Sequence, residues 1–428
     1  MRYIEFIVFS LVLLTGSIDR GWADKTRTPA AWLTLAIDRI CNAGSVDGLI
    51  AQSLLPGTWL LQEKTTSMGR SGKRTDVRLA LPGGDELRIV RQAFADRLRR
   101  FTVEYFKQSG AQLMPNMQAA SDATCHIRAG RRIVSPRSSA TRSLEQLDGD
   151  LQTVRWTETL QAPWPSGADP GGPRVALVDS GLAYDLDIYR NRLARGADGV
   201  PLGFDFWDMD PLPYDGDVSR SPFLPIRHGS AVASILVREA PMAALIPMRY
   251  PRPDMGRMAD VVLRAVNSGA RIIAMPLGSN RPIDWTAFEK AMRAHANVLA
   301  IVSAGNNGRD LDQMPLWPAV LTLDNMIVVT SADAFGRLAA GSNWGRTSVD
   351  IMVPAENVPV VDFRGASGKA SGSSYAVPRL AALAARIVSR QPGISVKALK
   401  ERIYARATPS PYEKDVVAVG WIPDPLRD

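Results

Sequence analysis

Arg174-Val175-Ala176-Leu177-Val178-Asp179-Ser180-Gly181 is the stretch from which the rest of the chain can be read. An uninterrupted apolar run with no polar alternation marks a strand buried on both faces, as in the interior of a parallel sheet. Ser180-Gly181 marks the turn that ends it. An acid at the end of such a strand lies where the ligands of open α/β sheets gather. Taken alone, an Asp in that place is more often a helix cap.

Working outward, short apolar strands at Val175, 243–248, 271–275, 298–303 and 326–330 alternate with helix-like runs at 258–268, 285–295 and 375–389. A further covering helix is expected over 396–405. Strands that alternate with helices in this way predict an α/β unit with a parallel sheet.

Three more segments carry polar groups suited to one reaction. His228 opens H-G-S-A-V-A-S-I-L-V-R-E, in which Ala231, Val232, Ile235 and Leu236 recur at helical spacing, so the imidazole projects from a helix amino-terminus. The other two histidines, His126 beside Cys125 and His295 at the exposed end of a helix, lack that setting. Asn306 in S-A-G-N-N-G follows an apolar strand and is bounded by Gly305 and Gly308, which presents its amide as a donor; alone it would read as an Asn-Gly turn. Ser374 in G-S-S-Y-A-V-P stands ahead of an apolar helix, where its N–H faces outward. Pro378 cannot donate to the Ser374 carbonyl. A serine hydroxyl becomes a nucleophile when a base reaches it and a third group orients that base, and an oxyanion needs donors. Asp179, His228, Ser374 and Asn306 supply those parts.

The order Asp, His, Ser and the blocks around each residue resemble the subtilisin-like serine peptidases (subtilases, peptidase family S8), whose signatures are D-[ST]-G, H-G-T-x-V-A and G-T-S-x-A-x-P. The resemblance runs over residues 156–422 and includes Ala274-Met275-Pro276-Leu277-Gly278, Trp317-Pro318-Ala319 and Ser342-Asn343-Trp344-Gly345. It implies a subtilisin-like parallel sheet flanked by helices, a triad of Asp179, His228 and Ser374, and Asn306 as oxyanion donor. It further implies that an extended substrate pairs with Pro276, Leu277 and Gly278 as an added strand. No cofactor is required by that chemistry. Ser230 and Ser373 replace the usual threonines, Arg227 the glycine before the histidine, Pro276 a serine, and Ala355-Glu356 a segment with glycine. Arg227 is expected to add bulk and charge beside the base.

A chain of 428 residues has room for two or three domains. Residues 1–23 read as a secretory signal, with Arg2, an apolar run of about eleven residues and Gly21-Trp22-Ala23 before Asp24. The run is too short for a membrane span, so the expected location is secreted or periplasmic. Residues 24–134 read as a small α+β domain: a helix from Pro29 to Cys41, strands around 58–61, 101–106 and 126–134, and a hairpin of 77–81 and 86–90 about Pro82-Gly83-Gly84-Asp85. A linker is expected over 135–150 and the peptidase domain over 151–428. The front domain is open to two readings, a removable propeptide or a permanent attachment. Cys41 and Cys125 suggest a disulfide in an exported chain; the alternatives are unpaired buried thiols, or Cys125-His126 as a metal or catalytic pair.

Net charge is +8. Residues 24–150 hold 19 Lys and Arg against 13 Asp and Glu, so +6 belongs to the front domain. Arg97, Arg99, Arg100, Arg131 and Arg132 read as a solvated face, and no nucleic-acid motif accompanies them. Asp205, Asp208, Asp210, Asp215 and Asp217 raise calcium as an alternative, without EF-hand spacing or a closing Glu. No other metal constellation is present. The expected function is an exported serine endopeptidase acting on proteins or peptides, with a catalytically inactive subtilase-like binding module as the rival. A second rival, an esterase or lipase-type hydrolase, has the triad order and the lack of a G-x-S-x-G elbow against it.

Overall fold

The structure is a computed structural model describing residues 27–43, 48–95, 97–136, 141–412 and 416–427. The expected signal over residues 1–23 lies outside the described residues. Two compact units are present, one running to Arg132 and including Gln146–Trp156, the other made of Ile133–Glu145 and Thr157–Asp428.

In the front unit, helix α1 (Pro29–Ala36) starts where the Thr28 hydroxyl accepts the Ala31 N–H at 3.2 Å, and Pro29 occupies a position that needs no amide hydrogen. It widens into a π turn over Ile37–Cys41 and is followed by α2 (Gly48–Leu54). Strands β1 (Trp59–Met68), β2 (Gly72–Ala80), β3 (Glu86–Phe94), β4 (Arg97–Ser109), β5 (Gln112–Ser121) and β6 (Ile127–Val134) pair antiparallel in chain order. Strands β7 (Arg142–Leu147) and β8 (Val154–Gln161) extend that order. Every second residue faces α1: Val77 and Leu79, Leu87 and Ile89, Phe101 and Val103 pack with Leu33, Ile37 and Ile40. The expected hairpin joins β2 to β3, with Gly83 and Gly84 at φ 91° and 95°.

Strand β5 is absent from the sequence reading because Q-L-M-P-N-M-Q-A-A-S is polar and holds a proline. Pro115 is accommodated next to a register shift opposite Tyr105 and Phe106, where a ladder donor is dispensable. The expected linker over 135–150 needs correction. Residues 142–147 are strand β7, and Leu147 and Leu151 are buried in the same core as Phe101, so apolar burial carries the front unit past the polar stretch.

The second unit follows the expected α/β alternation. It contains β9 (Arg174–Asp179), α3 (Asp187–Arg190), β10 (Phe204–Asp205), α4 (Gly229–Glu239), β11 (Ala244–Arg249), α5 (Met258–Asn267), β12 (Ile272–Met275) and α6 (Thr286–Ala294). The series continues with β13 (Leu299–Ser303), β14 (Met326–Ala332), β15 (Ile351–Pro354), the hairpin of β16 (Val358–Val361) and β17 (Ser367–Ala370), α7 (Ser373–Arg390), α8 (Val396–Tyr404) and β18 (Gly420–Trp421). The sheet runs β10-β11-β9-β12-β13-β14-β15-β18, with every pairing parallel. Val175 and Leu177 of β9 belong to a core shared with Val232 and Leu236 of α4 and Leu380 and Leu383 of α7. Ala176 and Val178 belong to the opposite core, with Val262 of α5 and Phe288 and Met292 of α6. Burial on both faces is why β9 reads as an unbroken apolar run.

Strand β9 has β11 on one side and β12 on the other, so the chain leaves it in opposite directions. A crevice opens at such a reversal, beyond the carboxyl ends of the strands. Asp179 ends β9 there, and Pro276 follows β12. The segment from Pro163 to Pro173 stays with this unit: Ala168 N–H donates to Asn191 Oδ1 at 3.0 Å, and Ala244 N–H to the Pro173 carbonyl at 3.0 Å. Among the described residues no helix is long and apolar enough to cross a membrane.

Candidate active site

Asp179 is 3% exposed at the end of β9, and His228 stands at the N-cap of α4. The imidazole Nδ1 lies 2.8 Å from each Asp179 carboxylate oxygen. A carboxylate can only accept, so Nδ1 carries the hydrogen and Nε2 is left with its lone pair. Burial of the ring works against its charged form. The Asp179 carboxylate, by charge and hydrogen bond, and then the charge of Asp215 outweigh burial, so His228 titrates above its ordinary 6.5.

Asp215 and Ser180 complete this side of the site, and the sequence reading assigned neither a place in it. The Asp215 side chain is fully buried; it accepts from Ser180 Oγ at 2.6 Å, Ser230 N–H at 2.9 Å and His228 N–H at 3.3 Å. Ser180 Oγ in turn accepts from His228 N–H at 3.1 Å and Gly229 N–H at 2.9 Å, and Ser180 N–H donates to Asp179 Oδ1 at 2.6 Å. The first amides of α4, which have no partners within the helix, are thereby satisfied by an anion and a hydroxyl. Ser180 could have been suspected from its adjacency to Asp179. Asp215 could not, since the irregular loop between it and His228 leaves no spacing to recognise.

Ser374 is the second residue of α7, so its N–H is among the outward-pointing amides of the first turn. Gly372 caps this helix at φ 128°, and a Cβ there would stand 3.1 Å from Asn306 Oδ1; glycine is what lets the serine loop approach the asparagine. Asn306 Oδ1 accepts from Ser373 N–H at 2.8 Å and Ser373 Oγ at 2.9 Å, which leaves its amide nitrogen to donate elsewhere. Ser303 Oγ lies 2.7 Å from Ser373 Oγ, and Asn343 Oδ1 accepts from Asn307 and Arg309 N–H at 2.9 and 3.0 Å. Ser303 was not singled out from sequence, and Ser373 was noted there only as a replacement for threonine; its bonds to Asn306 show why a hydroxyl residue precedes Ser374.

Asp179, Ser180, His228, Ser303, Asn306 and Ser374 meet in one cleft. A cavity of about 890 Å³ is lined by Asp179, His228, Asn306 and Ser374 together with Pro276, Leu277 and Gly278. Gly278 lies so close to the Trp317 carbonyl that a Cβ would reach it at 2.8 Å, and Ser279 and Trp317 exchange backbone hydrogen bonds at 2.8 and 3.0 Å. That pairing braces the wall expected to meet substrate.

One expectation is corrected. Arg227 does not load the base with charge: its side chain is 7% exposed, bonded to Glu158 Oε1 at 3.1 Å and the Thr159 carbonyl at 3.3 Å, and stacked 4.7 Å from the Phe363 ring centre. The carboxylates of the acidic stretch face separate partners. Asp205 and Asp208 face Arg249 at 2.8 and 3.0 Å, Asp210 accepts Leu212 N–H, Asp215 braces α4, and Asp217 accepts the Tyr250 hydroxyl at 2.5 Å. Among the described residues no group of three or more His, Cys, Asp or Glu side chains is placed to hold a metal. Cys41 and Cys125 are joined as a disulfide within the front unit, and neither lines the cleft. His126 Nδ1 lies 2.9 Å from Thr124 Oγ1, and His295 caps the end of α6.

The sequence model of the Subtilase family matches residues 171–421. The chain belongs to the subtilase family. A thermophilic serine proteinase of Bacillus sp. (strain AK1) is 29% identical over 246 residues, 53% of this chain and 55% of that protein. A thermostable alkaline protease of Halalkalibacterium halodurans is 29% identical over 290 residues, 63% of this chain and 73% of that protein. A solved cold adapted subtilisin-like serine proteinase superposes with a TM-score of 0.49 at 18% identity, covering 61% of this chain and 91% of that one. This subtilase spans about half the length of the first relative, and residues 171–421, which the family model matches, include every residue that lines the cleft.

Proposed function

We propose that this subtilase is an exported serine endopeptidase that cleaves peptide bonds through an acyl-enzyme. Ser374 Oγ attacks the carbonyl while His228 Nε2 takes its proton; Asp179 keeps the proton on Nδ1 and stabilises the imidazolium. The Asn306 amide and the Ser374 N–H receive the oxyanion. His228 then returns the proton to the leaving amine, and water repeats the sequence to release the acid. Substrate lies extended along Pro276, Leu277 and Gly278. The observation that carries this reading is the 2.8 Å contact of His228 Nδ1 with Asp179 in the cleft that Ser374 and Asn306 line. None of these steps requires a metal or cofactor.

Export is supported by the signal-like residues 1–23 and by the Cys41–Cys125 disulfide, which persists in oxidising compartments. The protein should react with a fluorophosphonate at Ser374 and hydrolyse casein or peptides. Ser374→Ala should lose the label and about 10⁶-fold in kcat, the size established in subtilisin itself. Folded wild type that takes no label and cleaves nothing would instead be an inactive binding module.

A further inference from the structure

The residue before the base is tied down by a part of the chain that the triad motifs do not include. Arg227 shares a peptide bond with His228, and its guanidinium Nη2 meets Glu158 Oε1 at 3.1 Å and the Thr159 carbonyl at 3.3 Å. Both side chains of the ion pair are buried, at 7% and 9% exposure. The guanidinium also stacks on Phe363, between β16 and β17, and passes so near Gly216 that a Cβ there would lie 3.1 Å from Nη1. One side chain therefore joins β8, the β16–β17 turn and the loop of Asp215 to the entry of α4.

We propose that the Arg227–Glu158 pair positions His228, and that residues 157–161 are consequently part of the working enzyme, so that any maturation cleavage falls before Glu158. This rests on the reading of His228 as the base. The backbone around Arg227 is gripped on both sides: Ile226 and Asp217 exchange hydrogen bonds at 2.8 and 2.9 Å, and His228 N–H is held by Ser180 Oγ. Between these grips, the Arg227 side chain fixes how the peptide is turned. A guanidinium that loses its buried anion cannot stay buried. It swings toward water and turns the peptide that carries the imidazole. The glycine usual at this position in the family has no side chain to tie, so the tether belongs to this chain.

The test uses the full chain with Glu158→Gln, Arg227→Met and the double variant Glu158→Leu/Arg227→Met, measuring kcat, KM and Tm. It also measures the mass of the smallest active species. Each single variant should lose stability and about tenfold or more in kcat, with KM within about twofold, because a small misplacement of the base costs turnover more than binding. In the double variant no charge is left buried alone, so Tm should recover while kcat stays low. The smallest active species should retain Glu158. A double variant with wild-type kcat would make the pair merely structural and overturn the proposal, as would an active species that begins after Glu158. Wild type that neither hydrolyses peptides nor takes the fluorophosphonate would instead remove the reading of His228 itself.

Discussion

On the His228 wall of the cleft, two buried carboxylates hold the machinery: Asp179 bonds the imidazole, and Asp215 bonds the backbone that presents it. On the Ser374 wall, among the described residues, Asn306 is held by neutral groups, the Ser373 hydroxyl and N–H, with the Asn343 amide bracing the neighbouring loop. The difference separates two tasks. The base must carry a positive charge in mid-reaction, and anions that stabilise that charge also raise its pKa. The oxyanion donor must stay neutral and fixed, and a neutral brace fixes it without drawing charge away from the developing anion. Control of pH dependence should therefore sit on the His228 wall, whereas changes on the Ser374 wall should alter turnover alike at every pH.

Removing the donor is the most severe way to test the neutral wall. Asn306→Ala should lower kcat about 10²–10³-fold, the size known for this donor in subtilisin, and leave the pH midpoint of kcat/KM where it was. A moved midpoint would break the division between the walls. Asp215→Asn tests the charged wall. Asparagine keeps an acceptor for Ser230 N–H but takes away an anion that raises the His228 pKa. With the neutral imidazole as the proposed base, kcat/KM in wild type should rise with pH through a midpoint above 6.5. In Asp215→Asn that midpoint should move to lower pH, with about a tenfold loss of kcat at the plateau as the Ser180 brace is disturbed. A pH titration of peptide hydrolysis reads both quantities. Ser373→Ala is the mildest, since Asn306 keeps its bond from the Ser373 N–H. A loss of a few fold in kcat, about 1 kcal/mol for one neutral hydrogen bond, is expected with no change of midpoint. A fall as large as that of Asn306→Ala would show that the hydroxyl alone orients the amide.

Legibility in the sequence followed how local each cause is. The helices α5, α6, α7 and α8 were readable within two residues at either end, because an apolar stripe at helical spacing needs only neighbouring residues to be seen. Strands β9, β11, β12, β13 and β14 were readable because burial on both faces makes each a solid apolar run. The Pro82-Gly83-Gly84-Asp85 turn gave away its hairpin for the same local reason. Strands β5 and β7 were hidden by polar residues and a proline that a bulge accommodates. In the cleft, Asp179, His228, Asn306 and Ser374 each stood inside a recognisable block. Arg227 was visible as a departure, but its direction was not, and the acidic loop looked like one feature although its members serve different partners.

The sequence by itself determined which side chains are available to the proposed reaction of this subtilase, because the proposed nucleophile, base, orienting acid and oxyanion donor are residue types, each carried in a short block with its own turn or helix start. Tertiary structure alone decided which groups hold them in place. Asp215, Ser373 and Glu158 act across chain separations that follow no fixed spacing, and a hydrogen bond or a buried ion pair depends on distance in space, which no local pattern encodes.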